Sequence, residues 1–195
     1  MREHTDHEQQ SWWILSAQSG SHEALNQLFK SIQEPLFRYI ASLVDDRSMA
    51  EDILQEVFFR IYRKLKWLKE PAAFRAWTYQ IATREVFRHL RRERHWRDQV
   101  RDEDKLNLIR AEDNNEVFPT ELLQQLPGLV ASLPTRSRAV IVLRYLHEMS
   151  LAETAAVLGI PLGTVKSRLW YGLEILRRHF KEAGASGLDA TVDSH

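Results

Sequence analysis

The feature that most constrains the fold is the stretch SLAETAAVLGIPLGTVKSRLWYGLEILRRHF, residues 150–180. Ser150-Leu-Ala-Glu153 has the form of a capping box, in which the serine hydroxyl and the glutamate carboxylate satisfy the first free amides of a helix. A helix is therefore predicted to begin at Leu151. Gly159 offers the left-handed conformation that closes it, and Pro161 suits the first turn of the next. The result is two helices joined by a short turn that contains glycine.

On a helical wheel the second helix gathers Val165, Leu169, Gly172, Leu173 and Leu176 on one side. That side is expected to pack on the first helix, where Ala155 and Ala156 permit close approach. Thr164, Ser167, Arg168 and Tyr171 fall opposite, with Lys166 and Trp170 at the margins. These groups donate to base edges or grip phosphates. A helix-turn-helix with its second helix as DNA reader accounts for both faces. The plainer alternative is an αα-hairpin whose polar face is solvated.

Charge distribution says more than net charge, because Lys plus Arg and Asp plus Glu are both 27. From Arg60 to Arg101 there are 13 basic residues against four acidic ones, whereas Asp102 to Phe118 holds six acids against Lys105 and Arg110. A basic block thus precedes an acidic one. With 195 residues, 44% of them hydrophobic, the chain can bury one large core or two small ones. The absence of cysteine excludes disulfides and thiolate metal sites and fits a reducing compartment. With no long apolar run and a polar start, MREHTDHEQQ, the chain is expected to be soluble and cytoplasmic, without membrane insertion of its own.

The pattern up to about residue 96 is helical throughout, with no strand-like alternation. Residues 1–20 read as an N-terminal extension with a short helix, Ser11 to Gln18, ended at Gly20. Ser21 opens a long helix with apolar positions from Leu25 to Val44 every three or four residues. Pro35 inside it predicts a kink or a break. Ser48-Met-Ala-Glu51 repeats the capping-box form and starts a helix to about Lys66. Ala50, Ile53, Leu54, Val57, Phe58, Ile61 and Leu65 form its buried stripe. Opposite lie Asp52, Gln55, Glu56, Phe59 and Arg63, an aromatic ring amid polar groups, read as a partner-binding face.

Trp67-Leu-Lys-Glu-Pro71 interrupts the periodicity as a loop before a helix from about Phe74 to Trp96, apolar on much of its circumference and central to a bundle. Its polar stripe holds Gln80, Arg84, Arg88 and Arg91 beside Phe87. Guanidinium groups among Trp77, Tyr79 and Phe87 suit a single strand, with phosphates to neutralise and bases to stack. A solvated basic face is the alternative. Residues 99–118 read as a flexible acidic linker. A second helical block follows, including Leu122 to Leu133 and the run Ala139 to Leu146, and the tail beyond residue 181 is expected to fray.

Catalysis and metal binding find little support, since no phosphate-cradling Gly loop, nucleophile elbow or HExxH pattern is present. His4 and His7 lie in a polar terminus, while His89 and His95 sit among arginines and suit hydrogen bonding or phosphate contact. The chain is read as a non-enzyme with no cofactor, no metal and no catalytic residues.

Two blocks together resemble bacterial sigma factors of the extracytoplasmic-function (ECF) group, the two-domain initiation factors of RNA polymerase. AEDILQEVFFRIYRKL followed by FRAWTYQIATREVFRHLRRER is similar to region two of that family. LPTRSRAVIVLRYLHEMSLAETAAVLGIPLGTVKSRLWYGLEILR is similar to region four. LuxR-type regulators share a comparable GTVKSR-like helix, so the order of the two blocks around an acidic linker makes the match specific. The resemblance implies an all-α fold of two small helical domains, region two over residues 21–98 and region four over 119–181, with a flexible tail over 182–195.

The resemblance also implies roles. Asp52, Gln55, Glu56 and Phe59 resemble the surface that docks on the β′ clamp helices of core RNA polymerase. Lys66, Trp67 and Lys69, with Gln80, Arg84, Phe87, Arg88 and Arg91, resemble the surfaces that capture the single-stranded −10 element of promoter DNA. Thr164, Lys166, Ser167, Arg168 and Tyr171 match the −35 reader, and other region-four surfaces would meet the β flap. The linker resembles the segment that threads towards the polymerase active centre. An anti-sigma factor, commonly membrane-anchored, is a further expected partner.

Two departures stand out. Where the family commonly reads IARNxxxDHLRR, this chain has IATREVFRHLRR, with Arg84 and Arg88 in place of Asn and Asp. Thr154 replaces the usual Ile of EIA, which predicts slightly poorer packing of the helix-turn-helix. The alternatives are a stand-alone LuxR-like regulator that binds duplex without polymerase, and a module that sequesters a partner.

Overall fold

The structure, a computed structural model, describes the backbone of residues 2–97 and 126–189 and the side chains of residues 8–93 and 128–179. The described residues are helical, without strands, and form two compact units. The segment read as the acidic linker, residues 99–118, lies outside the described residues, as do the side chains of His4, His7 and His95.

The first unit opens with α1, Arg2–Gln18. This helix is longer than the Ser11 to Gln18 segment expected, because polar residues with fair helix propensity extend it without adding any apolar period. Helix α2, His22–Leu43, is capped by the Ser21 hydroxyl, which accepts from the Ala24 amide at 3.2 Å. It runs through Pro35 without breaking. Proline removes one amide donor, yet buried Ile32, Leu36, Tyr39 and Ile40 hold both halves of the helix on the same core.

Helix α3, Arg47–Lys64, corrects the capping expectation at Ser48. Asp46 is the cap, its carboxylate accepting from the Ser48 amide at 2.9 Å. Glu51 turns instead to Arg47, 3.0 Å away. Aspartate two residues earlier starts the helix ahead of Ser48, and its charge favours a helix N-terminus. Two short 3₁₀ turns, Leu65–Trp67 and Pro71–Ala73, lead into α4, Phe74–Arg97. Leu28, Leu36, Ile40, Ile53, Val57, Ile61, Phe74 and Val86 make the core that α2, α3 and α4 share. Phe29 stacks on Phe58 at 4.8 Å.

The buried Tyr39 hydroxyl stands 2.7 Å from Thr83 Oγ1, whose own hydroxyl donates to the Tyr79 carbonyl at 2.8 Å. With the threonine proton committed, Tyr39 is the donor of that pair. Burial raises the Tyr39 phenol well above its ordinary range, with the Thr83 bond acting the other way.

Residues 126–189 form a helical turn at Leu126–Leu129, a 3₁₀ turn at Val130–Ser132, α5 over Thr135–Ile141, α6 over Leu151–Leu158 and α7 over Leu162–Asp189. The backbone of α7 is helical past residue 181, where the tail was expected to begin. Val142–Leu146 continues α5 as a π-helical segment that returns the His147 amide to the Val142 carbonyl at 3.1 Å. Arg138, buried, donates to the Leu133 carbonyl from Nε at 3.2 Å and from Nη2 at 3.1 Å, which ties the preceding turn to α5.

Candidate nucleic-acid interface

In the second unit the reciprocal capping box forms as expected. Ser150 donates its amide to Glu153 Oε2 at 2.8 Å, and its hydroxyl accepts from the Glu153 amide at 3.1 Å. Gly159 takes φ +65°, where a side chain would be strained. Pro161 then caps α7, its carbonyl accepting from the Thr164 and Val165 amides at 2.9 and 3.1 Å. Thr154 is fully buried and its hydroxyl donates to the Ser150 carbonyl at 2.9 Å. The polar atom that replaces a family methyl group is therefore satisfied within its own helix.

The packing partner of α7 differs from the expectation. Val165, Gly172, Leu173 and Leu176 are buried as the wheel predicts, with Leu169 half-buried. The helix they lie against is chiefly α5. A Cβ at Gly172 would stand 3.0 Å from Ile141 Cγ1, so this glycine is the point of close approach. Ala155 is half-buried and Ala156 exposed. Thr164, Ser167, Arg168 and Tyr171 are half-buried along one side of α7, with Lys166, also half-buried, at the margin, and the Ser167 hydroxyl donates to the Thr164 carbonyl at 3.0 Å. A polar helix side that stays partly open to solvent is what a groove reader needs.

In the first unit, Lys66, Trp67 and Lys69 are exposed on the loop after α3. Trp67 is 72% exposed, and Lys66 Nζ sits 5.1 Å from its ring centroid. A flat ring with a cation on it offers stacking and phosphate neutralisation at one point. Arg84 and Arg91 are exposed on α4, with Gln80 and Phe87 half-buried.

Arg88 does not share the freedom expected of that stripe. Its guanidinium contacts Glu85 Oε2 and reaches Glu56 Oε1 at 3.5 Å. Arg60 completes the cluster, 3.0 Å from Glu56 and 2.6 Å from Glu85. Arg60 Nε, Arg88 Nε and Glu85 Oε2 have no aligned hydrogen bond, so charge, with one hydrogen bond from Arg88 to Glu56, holds the cluster. Glu85, buried at its centre, was not singled out from the sequence. Its signal was an acid among arginines on the apolar side of α4.

On α3, Asp52 and Gln55 are exposed and Phe59 is 53% exposed, with the Arg63 guanidinium 5.5 Å from its ring. Glu56, half-buried in the ionic cluster, is the least available of the four residues assigned to that face. Tyr62, 56% exposed and three residues beyond Phe59, extends the aromatic stripe and was missed. A cleft of about 430 Å³ lined by Phe37, Arg47, Leu54 and Gln55 adjoins it.

Among the described residues no cluster of three or more potential metal ligands is found, and no helix is long and apolar enough to cross a membrane. Fold and side chains together define an all-helical nucleic-acid-binding protein built as two modules. Comparison with known families narrows this class. Residues 28–96 match the family model for Sigma-70 region 2, and residues 129–178 match that for Sigma-70, region 4.

The chain is 32% identical over 155 residues to the ECF RNA polymerase sigma factor SigC of Mycobacterium tuberculosis, covering 80% of this chain and 82% of the relative. It is 28% identical over 178 residues to SigW of Bacillus subtilis, covering 87% and 95%. The sigma factor RpoE of Bartonella quintana, solved with the anti-sigma factor NepR, superposes with a TM-score of 0.62 at 21% identity over 80% of this chain and 96% of that one, a likeness of fold. The chain belongs to the sigma-70 family, in its ECF group, and acts in promoter-directed transcription initiation. The region-two match disfavours a stand-alone regulator.

Proposed function

We propose that the chain divides promoter recognition between its two modules as the residue patterns imply. Thr164, Lys166, Ser167, Arg168 and Tyr171 read the −35 duplex from α7. Lys66, Trp67, Lys69, Gln80, Arg84, Phe87 and Arg91 hold the melted −10 strand, with Arg88 as brace rather than grip. Asp52, Gln55, Phe59 and Tyr62 dock on the β′ clamp helices of core RNA polymerase, while the second module meets the β flap. The observations that support this reading are the exposed Lys66–Trp67 pair on the first unit together with, on the second, the reader helix α7, whose first amides are taken up by the Pro161 carbonyl.

The chain works in this reading as a cytoplasmic polymerase subunit that contributes no catalysis and needs no cofactor. Its residues 21–98 and 119–181 form the two working domains, and residues 99–118 connect them. DNA affinity is modest until polymerase sets the spacing of the tethered pair. An anti-sigma factor is the partner that holds the chain inactive in this reading, a kind of partner also seen where RpoE was solved in complex with the anti-sigma factor NepR.

In vitro transcription with core polymerase tests the whole, on a promoter selected by the holoenzyme from a randomised duplex library. Initiation should depend on the chain. Asp52→Ala with Phe59→Ala should lower polymerase affinity and spare duplex binding, and unchanged polymerase affinity overturns that docking face.

A further inference from the structure

Gln18 closes α1 and spans to the loop that carries Lys66 and Trp67. Its side-chain amide nitrogen donates to the Leu65 carbonyl at 2.8 Å and to the Leu68 carbonyl at 2.8 Å. Two acceptors at one end of the side chain require the NH₂ group there, with one hydrogen for each carbonyl. The Leu65 carbonyl also accepts from the Leu68 amide at 3.0 Å, so the turn is closed once by backbone and a second time by Gln18. The two residues between these carbonyls are Lys66 and Trp67.

The anchor is itself held. Gly20 at φ +98° ends α1 with two crossed bonds, Gly20 amide to Ala17 carbonyl at 3.0 Å and Ser21 amide to Ser16 carbonyl at 3.0 Å. This is the closing geometry that fixes a helix end and the direction of its last side chain. Ser21 then caps α2. The loop is thus tied to a junction of two helices rather than left to its own short 3₁₀ turn.

We infer that Gln18 is a positioning residue that holds the Leu65–Leu68 turn so that Trp67 and Lys66 are presented, preformed, to the melted strand. The inference rests on the reading of that loop given above and adds the device that sets its shape. Ordering the loop beforehand removes an entropic cost from strand capture. Gln18 touches no DNA in this account. It acts through the two carbonyls.

The test uses full-length chain in holoenzyme on the library-selected promoter. Open complexes are read by permanganate reactivity of melted thymines, and the turn by hydrogen exchange at the Leu68 amide of the free chain. Gln18→Leu removes both donors, and Gln18→Glu turns a carboxylate on two carbonyl oxygens. Each should lower the open-complex equilibrium about tenfold and speed Leu68 exchange, with polymerase affinity and −35 duplex binding unchanged. Gln18→Arg restores donors and should recover both readouts, which a general structural role would not produce.

Trp67→Ala separates the two levels. If it forms open complexes as well as the wild type, the loop has no role and both readings fall. If it is impaired while Gln18→Leu is not, or if Gln18→Arg fails to rescue, the role of Gln18 alone is overturned. Should Gln18→Leu fail to fold, Gln18→Glu against Gln18→Arg decides, and equal behaviour of those two overturns it.

Discussion

Glu85 Oε1 lies 2.6 Å from Arg60 Nε across the seam between α3 and α4. The Glu85 side chain is 5% exposed, whereas Arg60 and Arg88 are 30% and 32% exposed. A nearly buried carboxylate thus stands between two guanidinia that still touch water. Removing it leaves two like charges close together with only Glu56 to offset them. Glu85→Gln is expected to destabilise the first unit by about 2 kcal/mol, below the range for a fully buried pair because water screens the arginines. Urea unfolding checks this, and a loss under about 0.5 kcal/mol would contradict the account.

The same cluster separates two arginines that look equivalent in sequence. Arg84 is exposed, whereas Arg88 is drawn to Glu85 and Glu56. Arg84→Ala should weaken open-complex formation several-fold, make it less sensitive to salt, and leave the unfolding free energy within about 0.5 kcal/mol of wild type. Arg88→Ala should do the reverse, lowering stability by about 1 kcal/mol with a smaller change in salt dependence. Salt titration of holoenzyme binding beside urea melts of the free chain distinguishes the pair.

Much of this was legible beforehand where a signal is local. The Ser150–Glu153 box, the left-handed Gly159 and the start of α4 at Phe74 depend on a few neighbouring residues and formed as read. What depended on competition did not follow. Asp46 took the cap that Ser48 could have supplied, and packing on both sides of Pro35 outweighed the amide it lacks. Spacing could place Gly172 on a buried face but could not choose between α5 and α6 as its neighbour. Arg88 fell on a polar stripe by angle, while its partner Glu56 lies 32 residues away, beyond the reach of any periodicity.

The tyrosine chain in the first unit gives a pH dependence. Tyr79 is pushed up to about 12 by burial, against the opposing influence of Arg75 and Arg38, and Tyr39 is raised further by burial. Both groups ionise near 10 when unfolded, so folding favours their neutral forms. Stability from this source is complete below pH 10 and is lost as pH rises from 10 through about 12. Tyr39→Phe should cost about 1 kcal/mol at pH 7 through the lost bond to Thr83, yet lose less than wild type above pH 10. Thermal melts from pH 8 to pH 11 check this, and parallel curves would show that Tyr39 does not contribute.

Gly172 tests the packing of the reader helix. Alanine there gains about 1 kcal/mol of helix propensity. Against that, its Cβ would meet Ile141 Cγ1 at 3.0 Å and Cδ1 at 3.3 Å, and Ile141 is fully buried with little room to retreat. Overpacking of this kind costs about 1–3 kcal/mol. The net expectation is a loss of about 1 kcal/mol, with α7 pushed away from α5. Because Thr164, Arg168 and Tyr171 ride on the same helix, −35 duplex affinity should fall with it. Ile141→Ala removes both of the atoms that crowd the new methyl, so adding Gly172→Ala in that background should be neutral or stabilising. A double-mutant cycle read by urea unfolding measures the coupling, and additive effects would mean that Ile141 does not set the approach of α7.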